Sequence, residues 1–251
     1  MDRWIGKTAV VTGASAGIGR AIAKLLAENG LTVVAVARRE ERLKELAASI
    51  SNSKGGKIVP FTADITKEDQ AVAAVRHADS LGGVSVLVNN AGAIQLTQTI
   101  NGEMDKWRHM FELNVFSLGP LLREGVKSMK NHKIDGHIIN VSSISAHGLP
   151  MDGGKHIYNA TKHAVRVITE GVRAELTAIG SKIKITMISP GVVDTEIFEA
   201  GLNPIDVSKM RTLPMLKSED IALACQHILS TPPNVQVPTY FLKFRLSYYL
   251  Q

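Results

Sequence analysis

The stretch Thr12-Gly13-Ala14-Ser15-Ala16-Gly17-Ile18-Gly19 decides the fold. It follows the apolar pair Val10-Val11 and passes at once into a helical pattern, Gly19 to Asn29. Glycines at such a strand-to-helix turn let the backbone bend tightly and approach a pyrophosphate, whose charge the helix N-terminus favours. The spacing is G-x-x-x-G-x-G and not the G-x-G-x-x-G of the general dinucleotide fingerprint. A glycine-rich turn is also an ordinary connection, and its place directly after the first strand is what argues for a ligand.

Outward from this turn, short apolar runs alternate with long helical patterns. Val33 to Val36, Ile58-Val59, Val84 to Val88, Ile138 to Val141 and Ile183 to Ile188 read as strands. None alternates with polar residues, as expected for strands covered on both faces. Arg39 to Ile50, Lys67 to Asp79, Met104 to Lys130 and Tyr158 to Ile179 carry helical periodicity, and Gly30 stands where a helix C′ glycine belongs. Strands separated by helices require right-handed crossovers, hence a doubly wound parallel α/β sheet of about seven strands with helices on both faces. No linker or repeat marks a boundary, so residues 1–251 are read as a single domain, with an atypical tail over 238–251. In that tail Leu242, Phe244, Leu246 and Tyr248 alternate with Lys243, Arg245 and Ser247, which predicts a final edge strand. A basic-aromatic contact with a membrane or partner is the weaker reading of the same residues.

Composition narrows the function. The apolar fraction of 45% suits a globular core, and 21% of mixed charge argues against disorder. The single cysteine, Cys225, rules out an internal disulfide and a multi-cysteine zinc site, and reads as a small buried hydrophobe. No metal site is expected, since no histidine pair has ligand spacing. The net charge of +6 is spread along the chain without an arginine-rich arm, so no nucleic-acid partner is expected. Asp2-Arg3-Trp4 does not resemble a secretory leader, and apolar runs such as Leu31 to Ala37 fall far below the ~20 residues of a membrane span. The expectation is a cytoplasmic protein.

Three places carry chemistry. Where an acid would grip the 2′-hydroxyl of an NAD ribose, the chain reads Ala37-Arg38-Arg39-Glu40. Two guanidinium groups suit a 2′-phosphate, so NADP(H) is favoured over NAD(H), with Glu40 as the residue that would serve an NAD ribose. Tyr158 and Lys162 stand four residues apart at the start of a helix, which puts phenol and ammonium on one face. A neighbouring cation lowers a tyrosine pKa from its usual ~10 and makes it a usable acid or base. Ser142-Ser143 ends the strand before that helix, on the same sheet edge as the glycine turn.

With these residues in view, the chain resembles the short-chain dehydrogenase/reductase family of single-domain Rossmann enzymes. The matches are Thr12 to Gly19, Asp64, Asn89-Asn90-Ala91-Gly92, Asn114, Ser143, Tyr158 with Lys162, and Pro190-Gly191 with Thr195. Asp2-Arg3-Trp4, Asn114-Val115-Phe116, His147, Thr161 to Val165 and Ser230 to Pro233 further resemble an animal subgroup. That subgroup contains farnesol dehydrogenase-like enzymes and dehydrogenase/reductase family member 11. The resemblance implies that Tyr158 exchanges a proton with the substrate oxygen. It implies too that Lys162 lowers the Tyr158 pKa and binds the nicotinamide ribose, that Ser143, one of two adjacent candidate serines, hydrogen-bonds the reacting oxygen, and that Asn114 holds a relay water. Asparagine within the apolar helical run Met110 to Leu118 is odd for packing alone.

Cofactor contacts are expected at Gly13, Ser15, Gly17, Ile18, Gly19, Arg38, Arg39, Asp64, Ile65, Asn90, Ala91, Gly92, Tyr158, Lys162, Pro190, Gly191, Val193 and Thr195. The implied activity is hydride transfer between nicotinamide and a lipophilic alcohol or ketone, farnesol-like or steroid-like, by a homodimer or homotetramer. A substrate lid is expected over about 191–217, with Val193, Ile197, Phe198, Leu202, Ile205, Met210, Leu213 and Met215. Ile94, Leu96, Leu149 and Met151 would complete the walls. The alternatives are an epimerase or dehydratase on the same fold, and a cofactor-binding regulator without turnover. His147 and His156 are lesser candidates for an acid or base, and Trp107 and Met110 read as core or interface.

Overall fold

Along β1 (Thr8–Thr12), Ala9 and Val11 face one apolar core while Val10 faces a second. The same division holds in β2 (Thr32–Ala37), where Val33 and Ala35 pack opposite to Val34 and Val36. Both faces being covered, neither strand has room for the polar alternation of a half-exposed sheet. The computed structural model describes residues 1–51, 54–148, 154–198 and 215–245. Its sheet also contains β3 (Lys57–Thr62), β4 (Val84–Asn89), β5 (His137–Val141), β6 (Lys184–Pro190) and β7 (Thr239–Leu242). The seven strands are parallel and ordered β3-β2-β1-β4-β5-β6-β7.

One face is covered by α1 (Gly17–Glu28), α2 (Glu40–Ala48) and α7 (Ser218–Ser230) through Ile22, Leu26, Leu43, Ile221 and Cys225. Burial pushes the Cys225 thiol up to about 12, as befits an inert core side chain. The other face carries α3 (Glu68–Asp79), α5 (Leu118–Asn131) and α6 (His156–Ala178), packed through Val75, Leu121, Met129 and Val165. Strand order reverses between β1 and β4, so the carboxyl ends of these two strands bound the crevice where ligands bind in open α/β sheets. Among the described residues, no helix is long and apolar enough to cross a membrane.

Two expectations change. The single helix Met104 to Lys130 is α4 (Met104–Phe111), a π turn over Glu112–Phe116, and α5. The Ser117 amide donates to Glu112 O at 3.0 Å, an i→i+5 bond that sets Asn114 inside the wider turn. Such π turns interrupt helices most often at functional sites. The final strand ends at Leu242, where alternation predicted it to begin. β7 pairs with β6 from Met187↔Thr239 to Pro190↔Leu242, and Gly191 N donates to Leu242 O at 2.7 Å. β6 ends at Pro190, so among the described residues no strand continues the ladder past Leu242. Leu246 to Tyr249 lie outside the described residues.

Candidate active site

The glycine turn is built by close approach. Gly13 has φ +68, and a Cβ on it would lie 2.9 Å from Ala91 Cα; one on Gly19 would lie 2.4 Å from Gly13 O. Only glycine fits either position. Thr12 locks the turn to β4: its Oγ1 accepts from the Asn90 and Ala91 amides at 3.0 and 3.1 Å, and its carbonyl accepts from Asn90 Nδ2 at 2.9 Å. At the first turn of α1 the N-cap is Ala16, no side chain caps the free amides, and no acid stands nearby in sequence. An uncapped helix start with this backbone turn fits the pyrophosphate of a dinucleotide.

From the β2 side, Arg39 reaches Ser15, donating to its Oγ from Nε at 3.1 Å and from Nη2 at 3.0 Å. Arg38 is exposed close to Asp64. Burial would raise the Asp64 carboxyl, but hydrogen bonds from Thr66 with the charges of Arg38 and Lys67 outweigh it and hold the pKa low. Ile65 is buried beside it. The Glu40 carboxylate lies 2.9 Å from Lys44, one turn along α2. On the opposite rim, a Cβ on Gly17 would meet the Thr195 methyl at 3.0 Å, so the chain after β6 crosses directly over the turn. Val193 is buried there and bridges to Leu216.

At the carboxyl ends of β4 and β5 lie Asn114, Ser143, Tyr158 and Lys162. Asn114 Oδ1 accepts from Ala93 N at 2.8 Å, while Nδ2 donates to Ala93 O at 2.9 Å and to Thr161 Oγ1 at 3.0 Å. Lys162 Nζ donates to Val141 O at 3.2 Å and stands 5.7 Å from the centre of the Tyr158 ring. A Cβ on Gly92 would lie 3.2 Å from Asn114 Oδ1 and 3.6 Å from Lys162 Nζ, so the missing side chain leaves these two groups facing one small space. The two serines separate by role. Ser142 donates to Lys162 O at 3.3 Å beneath the site, whereas Ser143, whose Oγ accepts from Ser145 N at 3.1 Å, stands next to the Tyr158 hydroxyl and favours its charged form.

The expected acidification of Tyr158 is corrected. Burial pushes its phenol up to about 12, opposed only by the neighbouring Ser143 hydroxyl, and burial pushes Lys162 down to about 8. Spacing predicts that the two lie on one face, but not that desolvation disfavours the charged form of both.

The flanking candidates also resolve. His147 Nε2 lies 3.0 Å from Ser189 Oγ, its ring packs on Phe241 at 4.4 Å, and burial with the Arg166 and His163 charges lowers its pKa. His156 is exposed at the start of α6. Met110 is fully buried in a cluster with Ile94, Ile157 and Tyr158, against which Trp107, Phe111 and Ile197 pack. Trp107 and Met110 are therefore core residues, but of the core that walls the tyrosine. Sequence reasoning missed Thr161 as the partner of Asn114; its one signal is its place directly before Lys162. Leu149, Met151, Leu202, Ile205, Met210 and Leu213, with the side chain of Phe198, lie outside the described residues.

A family model described as short chain dehydrogenase matches residues 7–203. This chain belongs to that family. Farnesol dehydrogenase of Aedes aegypti is 42% identical over 247 residues, covering 97% of this chain and 98% of that relative. Dehydrogenase/reductase SDR family member 11 of Bos taurus is 41% identical over 246 residues, covering 94% and 95%. An alcohol dehydrogenase from the archaeon Thermococcus sibiricus, solved in complex with 5-hydroxy-NADP, superposes with a TM-score of 0.81 at 26% identity, covering 94% of this chain and 95% of that one. This short-chain dehydrogenase is accordingly an oxidoreductase with a nicotinamide-binding fold.

Proposed function

We propose that this short-chain dehydrogenase is an NADP(H)-dependent alcohol dehydrogenase or carbonyl reductase for lipophilic substrates, farnesol-like or steroid-like. The observation that carries the reading is Tyr158 itself: its hydroxyl meets Ser143, its ring lies beside Lys162, and its surroundings are Ile94, Ile157, Met110 and Ile197. The bound nicotinamide supplies or accepts the hydride, and the chain positions groups and handles the proton. Tyr158 holds its proton at neutral pH, as an acid that protonates a carbonyl oxygen must. Ser143 orients that oxygen. Lys162 serves the nicotinamide ribose and, still mostly charged at neutral pH, favours the phenolate. Asn114 braces Ala93 and Thr161, and the remaining Oδ1 lone pair beside Gly92 is its place for a relay water. The Arg38–Arg39 pair beside Ser15, with Glu40 turned to Lys44, supports NADP over NAD.

The apolar wall predicts the substrate trend. Each buried methylene adds roughly 0.8 kcal/mol, about fourfold in kcat/KM, along a series of longer alkyl or isoprenoid alcohols. Steady-state rates across such a series check this, and better turnover of short sugars or hydroxy acids would remove the lipophilic assignment. The complete set of Asn114, Ser143, Tyr158 and Lys162 disfavours the reading as a regulator without turnover, which a complete lack of ketone reduction would reinstate.

Assembly is part of the same proposal. Met104 on α4, Phe116 in the π turn and Val167 on α6 are 52, 60 and 70% exposed, on elements outside the sheet. A homodimer or homotetramer built on these helices would cover them. Light scattering should return two or four subunits, and a monomer that persists at micromolar concentration would refute it. A cytoplasmic location completes the proposal, to be checked by fractionation.

A further inference from the structure

Glu196 follows Thr195 in the chain, so it leaves the rim of the glycine turn, yet its carboxylate lies across the crevice on α2 and its N-cap. Oε2 is 2.8 Å from Arg39 Nη1, and both carboxylate oxygens are 2.7 Å from Arg42 Nη1. Arg39 has its other two donors on Ser15. Every donor nitrogen of its guanidinium is thus engaged, one of them by an internal anion. Resting on the NADP reading above, we infer that Glu196 is a specificity-determining residue, an internal carboxylate that a cofactor's 2′-phosphate must displace from, or share with, Arg39 and Arg42.

The physical basis is that carboxylate and phosphate compete for the same planar fork of donors. The arginines hold the Glu196 carboxyl below its usual pKa, so the competitor is charged throughout the neutral range. NADH brings no 2′-phosphate to this fork and has nothing to displace. Glu196 therefore reduces the advantage of NADPH without removing it, and Arg42 joins Arg38 and Arg39 as a phosphate-reading group. The ion pairs are about two-fifths exposed on both sides, so the competition is modest.

The test is a binding titration of NADPH, NADH and adenosine 2′,5′-bisphosphate to the purified protein and its variants, read by NADPH and NADH fluorescence and by calorimetry. Glu196→Gln should tighten NADPH and the bisphosphate by about three- to fivefold and move NADH by less than about twofold. Glu196→Asp should fall between the two. In an Arg39→Gln background the gain from Glu196→Gln should shrink, because the contested group is gone. Unchanged NADPH affinity in Glu196→Gln overturns the inference, as does equal weakening of both cofactors, which would make the residue a clasp. Selective weakening of NADH also overturns it, since Glu196 would then be a ribose acceptor. If Arg38→Asp and Arg39→Gln leave the NADPH-to-NADH ratio unchanged, the NADP reading itself fails. If they lower it and Glu196→Gln does not raise it, only the role of Glu196 is lost.

Discussion

Tyr158→Phe should lower kcat by about a thousandfold or more and change NADPH affinity by less than about twofold, since general acid catalysis contributes ~10²–10⁴. The substitution keeps the ring, and with it the packing on Ile94, Ile157 and Met110 and the face presented to Lys162. It removes only the hydroxyl that meets Ser143, hence the transferable proton. Lys162→Met should damage turnover and cofactor binding together. The ammonium is hydrogen-bonded to Val141 O and faces the Asn114 side of the site, so its loss reaches both. Single-turnover reduction of a lipophilic ketone, with cofactor binding measured separately, checks both variants. Substantial activity in Tyr158→Phe would require another acid. His147 is committed to Ser189 and Phe241, and His156 stands exposed at the start of α6, so neither is placed to replace the phenol.

Arg38→Asp should invert cofactor preference. Loss of one charge-assisted contact to a 2′-phosphate costs about 1.5–3 kcal/mol, roughly 10- to 150-fold in affinity. The new carboxylate would repel the phosphate and accept from a ribose hydroxyl, so NADH should gain as NADPH loses. Arg38 sits beside Asp64 and forms none of the ion pairs that engage Arg39 and Arg42. Its removal should therefore leave the Ser15 and Glu196 contacts standing. The ratio of kcat/KM for the two cofactors is the measurement. Equal affinity of the unmodified protein for both would end the argument.

The glycine turn, the strands and the Ser143-Tyr158-Lys162 series were legible because each depends on local chemistry. Gly13 and Gly19 answer to backbone space, the apolar runs to burial on two faces, and the i,i+4 pair to helix geometry. The break at Asn114 was not legible, because a π turn leaves hydrophobic periodicity nearly intact. What fixes Asn114 is a set of bonds to Ala93 and Thr161, residues 21 and 47 positions away. The end of β7 was hidden for a related reason: period-two alternation continues past Leu242, but a ladder needs a neighbour, and β6 stops at Pro190.

Two features of charge also escaped. Tyr158 and Lys162 were expected to tune one another, whereas burial of both keeps the phenol protonated and pulls the ammonium down. Glu196 carried no signal at all, being 157 residues from Arg39 and 154 from Arg42. The amino-acid sequence by itself determined the doubly wound sheet, the turn at its switch point and the identities of the groups gathered there. Periodicity, glycine stereochemistry and residue chemistry are properties of short segments. Tertiary structure decided how those groups are solvated, which guanidinium donors are already engaged, and what walls the tyrosine. Dielectric surroundings and ion pairing depend on distances between segments far apart in the chain, and those distances exist only once the sheet has brought them together.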